Sequence, residues 1–142
     1  SLFITLTPAL TLSASDWPQL LGPNRDGHSA ETRLNWDWPK EGPPVLWKID
    51  VGTGWAGPVV AGGKVILFHR VGDEEVVAAL DPATGKDVWK SAYPTRYRDQ
   101  FDFDNGPRAT PTVSGETVFT LGANGDFHAW ELATGKKRWG RN

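Results

Sequence analysis

The sequence lacks several residue types on which common functions depend. Cysteine is absent, which excludes disulfides, thiol catalysis and cysteine-ligated metal sites from this stretch of 142 residues. Methionine is absent as well. Lysine and arginine form no run and the net charge is only −2, so the sequence shows no electrostatic footprint for nucleic acid or an anionic membrane.

Catalytic and metal-binding patterns are also missing. The histidines His28, His69 and His128 do not have the spacing of metal ligands, so each is expected to be a surface or sheet residue. Thr84 and Ser114 lie in predicted turns and have no nearby histidine to activate a hydroxyl. The sequence therefore contains no visible catalytic constellation, and no catalytic residue is assigned.

Tryptophan, glycine and proline are abundant, with eight, 16 and 11 residues, which favours an all-β chain rich in turns. Two of the tryptophans end a repeated segment. Residues 79–89 read ALDPATGKDVW, and residues 129–139 read AWELATGKKRW. A period of roughly fifty residues is the signature of a repeat architecture.

Each copy of the repeat reads as four short strands joined by turns. Asn124 and Gly125 predict a tight hairpin turn in the second copy. Four strands per repeat, with a tryptophan near the end of the outer one, describe one blade of a β-propeller. The strands are predicted near 57–60, 64–69, 75–80 and 87–90, and again near 109–113, 117–121, 126–131 and 137–140.

The tryptophans of the repeat are expected to hold the blades together. A blade is a twisted sheet with two apolar faces, which it can bury only against neighbouring blades. A buried indole removes roughly 150 to 250 Å² from water, so Trp89 and Trp139 are predicted to dock between blades. Trp47 stands at the equivalent point after Val45 and Leu46.

The repeated pattern Ala-x-Asp-x-x-Thr-Gly-x-x-x-Trp resembles the tryptophan-docking motif of the pyrroloquinoline-quinone (PQQ) repeat. The first copy matches throughout, and the second departs only at Glu131. The resemblance implies a propeller of the kind shared by quinoprotein dehydrogenases and by the non-enzymatic propeller of the bacterial outer-membrane β-barrel assembly machine. The structural repeat residues are Trp47, Ala79, Asp81, Thr84, Gly85, Trp89, Ala129, Glu131, Thr134, Gly135 and Trp139.

Two blades cannot close a ring, because propellers have roughly four to eight. We therefore expect a propeller fragment, with further blades of the same chain elsewhere. Residues 45–50 alternate like a strand and are expected to complete the last blade of the ring. The predicted organisation is a signal-peptide remnant at 1–15, an extended leader at 16–44 and propeller blades at 45–142, namely the closing strand 45–50, blade one 55–90 and blade two 107–142.

The N-terminal residues predict export to the periplasm or cell envelope. Residues 2–12 form an apolar run without charge, and small residues up to Ser15 follow, as at the end of a signal peptide. A buried first strand is the alternative. The run is too short for an ordinary membrane-spanning helix, so the mature chain is expected to have no transmembrane segment.

The leader segment carries its own resemblance. Residues 17–27, WPQLLGPNRDG, resemble the segment that precedes the propeller in many exported PQQ-like proteins of planctomycete type, with Leu21 where that pattern has arginine. The segment is rich in turn-forming residues and is expected to lie extended across the propeller surface. The indoles of Trp36 and Trp38 are expected to be hydrophobic anchors rather than ligand-stacking groups.

The two copies differ most between the outer strand of the first blade and the inner strand of the second, where residues 93–106 form an insertion. Insertions in repeat proteins map to one face, often the binding face. Aromatic and arginine side chains suit contact with an envelope protein or polymer. The alternative is a structured flap whose charges pair with each other. The candidate partner-contacting residues are Tyr93, Arg96, Tyr97, Arg98, Phe101 and Phe103.

Two further residues are candidates for cofactor binding. Aligning Pro58 with Pro111 sets Trp55 opposite Arg108. An indole can stack on a planar ring and a guanidinium can bind a carboxylate, which suits PQQ, the cofactor that the resemblance implies. The alternative is that Trp55 packs between blades and Arg108 pairs with a neighbouring acid. Residues 102–106 alternate carboxylates but lack the other ligands of an EF-hand, so no metal is assigned.

The matches to the repeat are all at structural positions, which favours an exported, non-enzymatic binding scaffold of the cell envelope without a cofactor. The alternative is a quinoprotein dehydrogenase that oxidises alcohols or sugars with PQQ and calcium. For that family the resemblance implies a calcium-binding acid, a catalytic aspartate and often a vicinal cysteine pair, none of which can be assigned to a residue here. A propeller hydrolase or lyase acting on polysaccharide is a third hypothesis.

Overall fold

The computed structural model describes residues 15–32 and 34–142, so the predicted signal-peptide remnant lies outside the described residues except for Ser15. Within the described residues the chain is all β, and it contains no helix long and apolar enough to cross a membrane. The strands are β1 (Val59–Ala61), β2 (Lys64–Val71), β3 (Glu74–Leu80), β4 (Asp87–Pro94), β5 (Thr112–Ser114), β6 (Thr117–Leu121), β7 (Phe127–Glu131) and β8 (Lys137–Arg141).

The strands form two antiparallel sheets of four, in the order β1-β2-β3-β4 and β5-β6-β7-β8. We call the first sheet blade one and the second blade two. The prediction of two four-stranded units is confirmed. Each sheet follows chain order because every connection inside it is a short hairpin turn, and the Asn124-Gly125 turn joins β6 to β7 as predicted.

Several predicted strand boundaries differ from the structure. The inner strands β1 and β5 are shorter than predicted and begin after Pro58 and Pro111, which cannot donate a ladder hydrogen bond. The outer strand β4 is longer than predicted, because Tyr93 and Pro94 pair with Glu75 and Glu74 of β3. The first two residues of the predicted insertion therefore belong to blade one, and the connection between the blades begins at Thr95.

One hydrophobic core runs through both blades. Ile66 and Phe68 of β2 alternate with more exposed residues, so one face of blade one is turned to the core. Trp89 of blade one joins Val118 and Trp130 of blade two in the same cluster. Since each sheet alone would leave these side chains in water, the two blades stabilise each other.

Trp89 fixes the packing of blade one on blade two. Its Nε1 donates a hydrogen bond to the Leu132 carbonyl oxygen at 2.9 Å. Its ring lies on Gly135, where the φ of 72° favours glycine and an added Cβ would overlap the indole. The tryptophan of one blade thus packs on the threonine-glycine turn of the next blade.

Trp47 makes the same contact with blade one. Its Nε1 donates to the Pro82 carbonyl oxygen at 2.8 Å, and its ring covers Gly85. The surrounding residues 45–50 form no ladder within the described part of the chain. The tryptophan of the predicted closing strand is therefore docked, while completion of a last blade stays a prediction.

Trp139 differs from its two counterparts. It remains 42% exposed and packs on Phe119 and Phe127 of its own blade. Within residues 15–32 and 34–142, the indole of Trp139 does not lie on a glycine turn as the indole of Trp89 lies on Gly135. Its docking between blades stays a prediction.

The leader lies along the inner edges of both sheets. Trp17 exchanges two backbone hydrogen bonds with Val60 of β1, at 2.8 and 3.0 Å. The Pro18 carbonyl oxygen accepts a hydrogen bond from the Val113 amide of β5 at 2.8 Å. By contrast Trp36 and Trp38 are exposed and contact each other, so the prediction that they anchor the leader is wrong.

Candidate functional site

Residues 95–107, in the connection between β4 and β5, form a surface loop that we call the face loop. Arg70, at the end of β2, is almost fully buried beneath it. The Arg70 guanidinium donates to the carbonyl oxygens of Tyr97 at 2.8 Å and Asn105 at 3.0 Å, and it pairs with Asp73 at 3.0 Å. One buried cation thus ties both ends of the loop to blade one.

The tip of the face loop is closed by its own polar groups. The Asp99 amide donates to the Asn105 side chain at 2.7 Å, and the Phe103 amide donates to the Asp99 carboxylate at 2.8 Å. This backbone hydrogen bond, together with Arg108, lowers the pKa of Asp99 below its ordinary value. Because the tip is bonded internally, its conformation is set before any partner arrives.

The residues that precede β1 brace the loop from the other side. The Trp55 and Ala56 amides both donate to the Pro107 carbonyl oxygen, at 2.9 and 3.1 Å. The Gly54 amide donates to the Asp104 carboxylate at 3.2 Å. These bonds hold Trp55 beside the face loop although more than forty residues separate them in the sequence.

The predicted pair Trp55 and Arg108 is brought together in the structure. The Arg108 guanidinium carbon lies 5.6 Å from the ring centres of both Trp55 and Tyr97, a cation–π geometry. Arg108 also pairs with Asp99 at 3.1 Å, as the alternative interpretation expected, and this bond raises the pKa of Arg108. Trp55 does not pack between blades, since it is 63% exposed.

Aromatic side chains dominate the exposed surface around this pair. Phe101 and Phe103 are 75% and 73% exposed, and their ring centres are 6.1 Å apart. An open depression of about 610 Å³ lies between them and the Arg108 cluster. Its lining residues are Trp55, Tyr97, Arg98, Asp99, Gln100, Phe101, Phe103 and Arg108.

One of the six predicted contact residues is wrongly assigned. Tyr93 is only 8% exposed, because it belongs to β4 and its hydroxyl donates to the buried Glu75 carboxylate. It cannot contact a partner at the surface. The other five lie on the face loop, where their role in binding stays a prediction. The sequence interpretation missed Asp99 and Gln100, and it assigned Trp55 and Arg108 to a cofactor although they border the same depression.

Backbone amides of residues 52 and 54 bind an imidazole and a carboxylate near the site. Among the described residues, no three histidine, aspartate or glutamate side chains come together as they would around a metal ion. The carboxylate of Asp104 accepts hydrogen bonds from Gly54 and Gly106. His69 accepts a hydrogen bond from the Gly52 amide at 2.7 Å.

The repeat geometry agrees with the relationship found by comparison. A family model described as outer membrane protein assembly factor BamB matches residues 72–142, half of the chain. The chain belongs to this family of PQQ-like repeat propellers. The resemblance carried by the two tryptophan motifs is thereby confirmed. No match was found among the curated proteins.

Two solved structures are similar to this chain. The quinohemoprotein alcohol dehydrogenase from Comamonas testosteroni is 24% identical over 89% of this chain, with a TM-score of 0.60. BamB from Moraxella catarrhalis is 21% identical over 64% of this chain and 37% of its own length, with a TM-score of 0.37. The first likeness confirms the predicted β-propeller fold, and this chain spans 19% of the dehydrogenase.

Proposed function

We propose that the chain is part of an exported, non-enzymatic propeller that binds an envelope protein or polymer through the face loop. The observation that carries the proposal is the exposure of Phe101 and Phe103 on a loop that is hydrogen-bonded to blade one, and of Trp55 beside that loop. Export is supported by the apolar run at residues 2–12 and by membership in a family described as an outer membrane assembly factor.

The loop has the properties of a contact surface rather than of a closed flap. A flap that served only itself would turn its aromatic rings inward, whereas Phe101 and Phe103 point away from the core and are mostly exposed. Clustered exposed aromatic residues mark interaction sites, and such residues often carry most of the binding energy. Since the loop is already ordered, binding loses little conformational entropy.

The residues beside Trp55 fit PQQ poorly. Three of the five guanidinium N–H groups of Arg108 already donate, to the Tyr97 hydroxyl, to Asp99 and to the Asp104 carbonyl oxygen, so a carboxylate of the cofactor would compete with them for bidentate binding. Arg108 also covers one face of the Trp55 ring. Both observations weigh against the alternative of a PQQ- and calcium-dependent dehydrogenase, and we propose that no cofactor binds at this site.

The first test is a titration of the full-length protein with PQQ and calcium, followed by tryptophan fluorescence. We expect no saturable change, because Trp55 and Arg108 are engaged with each other. Saturable binding together with dye-linked oxidation of an alcohol would overturn the proposal in favour of the dehydrogenase.

The contact surface is tested on immobilised envelope material from the producing cells. The double variant Phe101→Ser, Phe103→Ser should weaken binding of the full-length protein at least about tenfold, as expected for interface aromatics. Val88→Ser is the matched control, because Val88 is also exposed but lies on β4 away from the loop. Equal binding by all three proteins would exclude the face loop as the contact.

A further inference from the structure

The interface between the two blades contains a polar cluster inside the hydrophobic core. Glu75 of β3 is completely buried. Its carboxylate accepts a hydrogen bond from the Tyr93 hydroxyl at 2.5 Å and another from the Ala123 amide of blade two at 2.8 Å. One carboxylate therefore bonds to both blades, and the Ala123 amide reports whether the blades are closed at this point.

His128 of β7 completes the cluster from blade two. Its ring lies edge-on to Tyr93, with centres 4.2 Å apart, and 5.2 Å from the ring of Trp130. The imidazole is buried, and its Nδ1 atom has no hydrogen-bond partner in the described part of the chain. A buried polar atom without a partner is uncommon in folded proteins.

The side chains of this cluster are tightly packed. An added Cβ at Gly140 would overlap its ring, and one at Gly122 would overlap the Glu75 carboxylate. A protonated imidazole has two N–H donors, so protonation would bury a charged donor at Nδ1 without an acceptor. The closed interface therefore favours the neutral form of His128.

Titratable groups from both blades surround His128. Glu75 and Tyr93 face it from β3 and β4, Asp126 from the turn before β7 and Lys137 from β8. Burial lowers the pKa of His128 below its ordinary 6.5, and Lys137 adds to this effect, against the opposing charges of Asp126 and Glu75. In an opened interface, water would hydrate the ring and the pKa would return toward 6.5.

We propose that His128 makes the interface between blade one and blade two a pH-sensitive latch, closed while the imidazole is neutral and opened when acid protonates it. Because the pKa is lower in the closed state, the stabilisation is complete above the ordinary pKa and is lost as the pH falls below it. A single proton can change the opening equilibrium by at most about tenfold per pH unit.

The test measures hydrogen exchange of the Ala123 amide in the full-length protein, expressed as a protection factor to remove the intrinsic effect of pH. From about pH 7.5 to about pH 5.5, we expect protection to fall at least about fivefold in the wild type. In His128→Phe, which keeps a buried ring but cannot titrate, protection should be the same at both values. His69→Gln is the control, because His69 lies within blade one and should leave the wild-type fall unchanged.

Two results would overturn the proposal. One is equal protection of Ala123 at both pH values in the wild type. The other is a full acid-induced fall in His128→Phe, which would place the trigger on a different group. If that variant does not fold, His128→Gln supplies the same comparison with a smaller polar side chain that does not titrate near neutral pH.

Discussion

Single residues join the blades when they combine apolar area with one directed bond. Trp89 buries its ring on Gly135 and also donates to the Leu132 carbonyl oxygen. The ring supplies most of the free energy through burial, and the hydrogen bond fixes which edge of the indole faces the turn. Trp47 repeats both interactions on blade one, so the contact is a property of the repeat.

We expect Trp89→Ala to lower the free energy of unfolding of the full-length protein by about 3 to 5 kcal/mol, the usual cost of removing a large buried ring. Trp89→Phe should cost less, since it keeps much of the buried area and loses the bond to Leu132. Val88→Ala is the control, because its side chain is half exposed and should cost under about 1 kcal/mol. Denaturant unfolding gives all three values. A cost below about 1 kcal/mol for Trp89→Ala would show that the indole does not dock the blades.

At the scale of residues, some contacts could be predicted from the sequence and others could not. Trp89 and Gly135 can be recognised from the sequence, because the tryptophan and the glycine each lie at a fixed position of the repeat. The burial of Tyr93 is not visible, because it depends on pairing with Glu75, eighteen residues earlier. An aromatic residue beside several charged ones resembles a surface loop until its strand partner is known.

At the scale of elements, the face loop is fixed by a residue outside it. Arg70 belongs to β2, yet its guanidinium bonds to carbonyl oxygens near both ends of the loop. Hydrogen bonds from a charged donor contribute about 1.5 to 3 kcal/mol each when buried. Arg70 of blade one therefore contributes to the order of the loop, beside the bonds within the tip and those from residues 54–56.

We expect Arg70→Gln to release the face loop. Trypsin cleavage after Arg96 or Arg98, followed by mass spectrometry, should become at least about tenfold faster, because cleavage requires local opening. Lys90→Gln is the control. It removes an exposed ion pair with Asp87, which contributes little to stability, so the rate should not change. Cleavage of Arg70→Gln at the wild-type rate would mean that other contacts hold the loop.

The elements themselves were largely predictable. Alternation and turn residues located all eight strands, because each blade is built from local hairpins.

The site was only partly predictable. The insertion and the pairing of Trp55 with Arg108 followed from aligning the repeats, but the ion pair with Asp99 and the support from Arg70 depend on how the chain crosses between blades.

At the scale of the whole molecule, the leader forms hydrogen bonds with the strand edges that the two sheets leave unpaired. The inner strands β1 and β5 each present an unpaired edge, and residues 17 and 18 form three backbone hydrogen bonds with them. Unpaired edges are sites of unwanted strand addition. The leader therefore both links the two blades and covers part of their edges.

Deletion of residues 16–24 from the full-length protein should lower its stability by about 3 kcal/mol, at about 1 kcal/mol for each lost hydrogen bond. The exposed edges should also cause concentration-dependent self-association. Thermal unfolding and sedimentation measure the two effects. The control replaces Trp36 and Trp38 with glycine, which should change little because both are exposed. A deletion variant as stable and monomeric as the wild type would show that the leader only rests on the surface.

The contact between blades is made by two different surfaces. One partner contributes an indole, and the other contributes a glycine turn, as with Trp89 and Gly135. Such a heterologous contact cannot relate two copies by a two-fold axis. Repeated with a constant rotation, it can only close into a ring or continue as an open filament. The geometry of a single tryptophan on a single glycine therefore restricts the symmetry of any assembly built from these blades.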